Sequence, residues 1–104
     1  MLIIERWDVD ADGTLIEAAV RARMRSAGYD VMRTVHAPGT IRESPAIELG
    51  AVYAVVSGRV RFTVADETAD LEAGESLHVA PSLTCRAEVL GGRPSVTLDG
   101  LKRP

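Results

Sequence analysis

Two periods of hydrophobic residues divide the chain near Gly28. Before it, Ile16, Ala19, Val20 and Ala27 recur at helical spacing, with Arg23 the polar exception. Thr14 and Glu17 form the pattern of a capping box, in which hydroxyl and carboxylate each cover an orphan amide at a helix start. Glu17 and Arg21 make a favourable i,i+4 pair, and Gly28 supplies a left-handed stop. The spacing predicts one helix of about twelve residues.

After Gly28 the period falls to two. Tyr29, Val31, Arg33 and Val35 alternate with polar residues, except at Met32, up to the turn signal Pro38-Gly39. Residues 51–56 are continuously apolar, as in a strand covered on both faces. Val60, Phe62 and Val64 alternate with Arg61 and Thr63. Turn residues then fall at 65–68, 73–74, 81–82 and 91–92, and a last strand is predicted over 95–98. Such closely spaced turns describe an all-β sandwich or barrel with a single short N-terminal α-helix packed against it. No repeat, linker or low-complexity stretch interrupts the pattern, so residues 1–104 read as one domain.

Composition narrows the function classes. A hydrophobic content of 46% and a mean hydropathy of +0.06 are those of an ordinary globular chain. The net charge of −3 argues against a nucleic-acid partner, and Arg21, Arg23 and Arg25 fan around a helix instead of lining a stripe. No apolar run is long enough to cross a bilayer, so no membrane partner is expected. The first seven residues carry no basic region ahead of their apolar ones, and one cysteine cannot close an intrachain disulfide. The expected location is the cytoplasm.

The turns and glycines resemble those of a small single-domain cupin, a jelly-roll β-barrel (double-stranded β-helix), from Trp7 to the last residue. Pro38-Gly39-Thr40 resembles the lead-in to the first cupin signature, and Val55-Val56-Ser57-Gly58 its end. Gly74-Glu75, Leu77-His78-Val79 and Ala80-Pro81-Ser82 resemble the second. The family's usual metal ligands are His and Glu. By this resemblance the two His positions hold Pro45 and Ile47 (or, one residue earlier, Ser44 and Ala46), the Glu position holds Ala51, and the third His position holds Cys85. Pro and Ala offer no side-chain donor and Ile is apolar, so no metal or other cofactor is expected. The resemblance also implies a homodimer, to which Leu2-Ile3-Ile4 would offer an apolar edge.

The remaining chemistry is sparse. Cys85 reads as a small buried hydrophobe in the barrel wall. His78 alternates with Leu77 and Val79, so it faces outward if that apolar pair fills the interior and inward if the register is reversed. His36 stands at a strand end. Asp8, Asp10, Asp12 and Gly13 match the opening of a calcium loop, but its twelfth position is Ala19 and no helix precedes it. Three function classes follow. The leading one is a metal-free, non-catalytic barrel binding a small, mainly apolar molecule in a pocket beside Ile47, Ala51, Tyr53 and Cys85, with His78 as a further ligand-binding candidate. The alternatives are an enzyme with an atypical site drawn from Cys85, His78, Glu48, Glu43 and His36, and a purely structural dimer. Removal of the glutamate side chain at Ala51 is expected to leave a cavity there.

Overall fold

A computed structural model describes residues 2–104 and gathers the alternating stretches into two antiparallel sheets. In the first, the spatial order is β1 (Ile3–Arg6), β7 (Glu75–Val79), β4 (Ala51–Ser57), β9 (Ser95–Lys102) and β2 (Tyr29–His36). In the second it is β3 (Ile41–Ser44), β8 (Cys85–Leu90), β5 (Arg59–Val64) and β6 (Glu67–Glu72). The period-two pattern explains which faces meet. Tyr53, Val55, Leu77 and Val79 point from the first sheet at Val60, Phe62, Val64, Leu71 and Cys85 of the second, forming the inner core. The rings of Tyr53 and Phe62 stack with centroids 5.9 Å apart.

The opposite face of the first sheet is also covered. Val52, Ala54 and Leu98 pack there against Val20 and Met24 of a helix, α2 (Glu17–Ser26), described below. This is why the run 51–56 has no polar alternation: β4 lies between β7 and β9 with one core on each side. No helix among the described residues is long and apolar enough to cross a membrane.

Three local expectations are corrected. Among the described residues two helices are present instead of one: α1 (Val9–Asp12) precedes α2. Asp8 caps α1 by accepting from the Asp10 amide at 2.9 Å, and the Asp12 carboxylate accepts from the Asp8 amide at 3.0 Å and from Arg23 at 3.1 Å. The calcium-like run is therefore a capped single turn tied to α2. The capping box does not form. Ile16 occupies the N-cap without a side-chain bond, and Glu17 instead takes Arg33 of β2 at 3.0 Å and Arg21 at 3.1 Å. A two-arginine clamp has drawn the carboxylate away from the helix start, so α2 is shorter than expected. The last strand runs on to Lys102, because β9 is hydrogen-bonded on both sides, to β4 and to β2. Its Gly100 is a packing requirement: an added Cβ would stand 2.8 Å from Val52 Cγ1 and 2.9 Å from Met24 Cε.

The predicted turns fall where the residues put them. Gly28 ends α2 with φ +95°, and Ala65 and Asp66 take φ of 49° and 68° in the β5–β6 turn. Gly58, the glycine of the first cupin-like signature, has φ +82° and lies so close to Ser95 that a Cβ would meet its Oγ at 2.2 Å.

Candidate functional site

The positions that resemble metal-ligand sites do come together at one end of the sandwich. Pro45 and Ile47 lie in the loop between β3 and β4, Ala51 opens β4, and Cys85 opens β8 opposite Ser44 of β3. The loops are fastened there by the Ile47 carbonyl, which accepts from the Gly50 amide at 3.1 Å and the Ser82 amide at 3.0 Å. The frame is thus built, but its donor set does not fit a metal ion. Three of the four side chains carry no donor, and burial pushes the Cys85 thiol up to about 11, helped by the negative charge of Asp99. Among the described residues no three His, Cys, Asp or Glu side chains converge where they could hold an ion.

The expected cavity is displaced. Ala51, Tyr53 and Cys85 are all buried in the inner core, where the Tyr53–Phe62 stack occupies the space between the sheets. The Tyr53 hydroxyl is turned to Ser44, and burial raises its pKa above the ordinary value. A cleft of about 330 Å³ lies instead at the sandwich end. Ala51, Val64 and Val79 form its floor, and Leu2, Leu49, Pro81 and Leu83 belong to its walls. Ile47 is half-buried against the same core. The collapse has a simple cause, since a close-packed interior fills a small void with the nearest large side chains.

His78 lines the edge of this cleft without entering the core. Leu77 and Val79 point inward, so His78 sits on the helix side of its strand, where Nε2 meets Glu5 Oε1 at 2.6 Å. Of the other polar candidates, Glu48 is exposed, and Glu43 lines a second depression, of about 590 Å³, with Pro45, Thr63, Cys85 and Arg86, so Pro45 and Cys85 border this one and Ala51 the cleft. His36 alone enters the interior.

It does so as part of a polar cluster not anticipated from the sequence. Thr34 and His36 of β2, Thr97 and Asp99 of β9, and Arg42 of β3 all face the space between the sheets. The Thr97 hydroxyl donates to Asp99 Oδ1 and the Thr34 hydroxyl to Asp99 Oδ2, each at 2.8 Å. His36 Nε2 lies 3.0 Å from Thr97 Oγ1. Because the Thr97 hydrogen is committed to Asp99, the imidazole must donate from Nε2, which leaves Nδ1 as the unprotonated nitrogen. Burial lowers the His36 pKa, against the pull of Asp99 and with the help of Arg42. The Arg42 guanidinium stands 3.9 Å from Asp99 Oδ2. A signal for this cluster does exist in the sequence. Thr97 and Asp99 alternate with Val96 and Leu98, and Thr34 and His36 with Arg33 and Val35, but period alone does not say which face is inside.

No family model matches the sequence, and no curated protein matches it. Solved structures do. The chain aligns with a cupin domain of an XRE family transcriptional regulator from Enterobacter cloacae at 18% identity and TM-score 0.66, covering 99% of this chain and 97% of that one. It aligns with a predicted oxalate decarboxylase from Thermotoga maritima at 14% identity and TM-score 0.67, covering 81% and 74%. A cupin superfamily protein from Desulfitobacterium hafniense matches at 12% identity and TM-score 0.64, over 100% of this chain and 79% of its own. Identities this low speak for the fold alone. The chain has the fold of the cupin domains.

Proposed function

We propose that this chain is a metal-free, non-catalytic cupin domain that binds a small, mainly apolar molecule in the cleft at the Ala51 end. The observation that carries the reading is the cleft itself. Its volume of about 330 Å³ falls at the lower end of small-molecule sites, and it opens beside Ala51, which by resemblance stands at the family's Glu position, among Leu49, Val64, Val79 and Leu83 with His78 and Glu67 as polar neighbours. Leu49 and Leu83 stand partly exposed at its rim, an arrangement that costs solubility and is repaid when a ligand covers them. A non-catalytic role is supported by the state of Cys85. Its one described hydrogen bond is a long contact of 3.9 Å to the Arg86 carbonyl, so no base activates a thiol already held neutral.

The reading extends to assembly and location. Among the described residues β1 is an edge strand paired only with β7, and Ile3 and Ile4 are exposed along it, which favours a second copy as partner. A lone buried thiol suits the cytoplasm. One solved neighbour is a domain of a transcriptional regulator and another a predicted oxalate decarboxylase, so the fold by itself does not choose between sensing and catalysis.

Titration with the neutral fluorophore N-phenyl-1-naphthylamine tests the binding reading. Saturable binding is expected, and both Ala51→Leu, which fills the floor, and Leu83→Asp, which charges the rim, should abolish it. Leu83 is partly exposed, so the second variant leaves the core intact. Absence of saturable binding, or binding unchanged in both variants, would reject the reading.

A further inference from the structure

We infer that the interior face between β2 and β3 carries a second, polar binding site, for a small carboxylate that bears an adjacent hydroxyl or ammonium group. The argument starts from Asp99. A carboxylate has about four lone-pair positions, and here each oxygen accepts from one threonine hydroxyl, so two positions remain. Arg42 reaches inward from the other sheet, yet its described ion pair with Asp99 is 3.9 Å long, beyond hydrogen-bond reach. A guanidinium so placed keeps its fork of N–H donors for a bidentate partner. Spare acceptors beside a spare fork form a complementary pair: the fork takes a carboxylate, and Asp99 takes an O–H or N–H carried next to it.

The setting fits a ligand site better than a structural device. Among the described residues no buried side-chain polar atom lacks a hydrogen-bond partner, and the two threonines hold the carboxylate without help from Arg42, so the guanidinium is surplus to the fold. The gap is also open. Met32 stands opposite Asp99 across the β2–β9 ladder, on the same inner face, and is 58% exposed. Second-sheet side chains do not close over β2 there. The Arg42 side chain is 44% exposed, so it can turn to an incoming anion. This site has the opposite polarity from the Ala51 cleft and stands or falls separately from it.

The probes are L-lactate and L-alanine, with propionate, which lacks the adjacent donor, and lactamide, which lacks the charge, as controls. Amide chemical-shift titration of the intact chain is expected to show saturable shifts at Thr34, Arg42 and Asp99 for at least one of the two probes. Propionate and lactamide should bind at least about tenfold more weakly, the loss of one charge-assisted contact. Arg42→Gln should weaken the probe by a similar factor while leaving the spectrum of the core unchanged, and Arg42→Lys, which keeps charge without the fork, should restore only part of it. No shift with either probe at millimolar concentration would overturn the site. Equal affinity for propionate, or affinity unchanged in Arg42→Gln, would overturn it as well.

Discussion

Replacing Asp99 with Ala removes the acceptor on which the interior polar cluster depends. Two hydroxyls donate to it at 2.8 Å, and a bond to a charged acceptor contributes about 1.5–3 kcal/mol net. The two donors fare differently once it is gone. Thr34 is half-buried and can turn to water, whereas Thr97 is 2% exposed and has only His36 left as neighbour. Arg42 remains hydrated and adds little. The expected loss is therefore near the lower sum, about 3–4 kcal/mol. Urea unfolding should show this as a midpoint lower by about 1.5–2 M, for an m-value of about 2 kcal/mol/M. Asp99→Asn keeps one acceptor and should lose about half as much. In a double-mutant cycle, Thr97→Val should cost clearly less in the Asp99→Ala background than in the wild type, by about 1.5 kcal/mol. A loss below about 1 kcal/mol for Asp99→Ala, with Thr97→Val fully additive, would refute the reasoning.

Three further outcomes are expected. With its thiol held up to about 11, Cys85 should not react with Ellman's reagent in the folded chain at mildly alkaline pH, while the urea-unfolded chain reacts fully; rapid labelling of the native protein would contradict the burial of that thiol. Since the folded chain holds His36 below its ordinary 6.5, the unfolded chain takes up the proton first, and stability should be retained above 6.5 and decline as pH falls beneath it. The slope should be up to about 1.4 kcal/mol per pH unit and should vanish in His36→Gln, which urea midpoints across that range would reveal. Light scattering should give twice the chain mass of 11.1 kDa, and Ile3→Lys should shift it toward the monomer; a wild-type monomer at micromolar concentration would exclude pairing through β1.

Much of the fold was legible because its signals are local. The switch of period at Gly28, the unbroken run 51–56 and the glycines at 58 and 74 each follow from one backbone rule, and strands and turns appear where those rules put them. Errors arose where a distant partner outbid a local preference. Glu17 left the helix cap for Arg33, sixteen residues away, and the last strand, expected over 95–98, runs on to Lys102 because β4 and β2 flank it. The orientation of His78 stayed open between two registers, and is decided by Leu77 and Val79 facing the core. The cavity did not follow, because a deletion at Ala51 says nothing of how Tyr53 and Phe62 will settle into the space. The Asp99 cluster was hidden for a related reason. Its β9 members lie 61 and 65 residues from their β2 partners, and the inner placement of all of them depends on which face each strand turns inward.

Metal analysis of the purified chain, by mass spectrometry of the acid digest after dialysis against a mild chelator, bears most directly on whether a cupin frame here works without its metal. Pro45, Ile47, Ala51 and the neutral thiol of Cys85 predict far less than one equivalent of zinc, nickel, iron, manganese or copper per chain. One retained equivalent of any of them would contradict it.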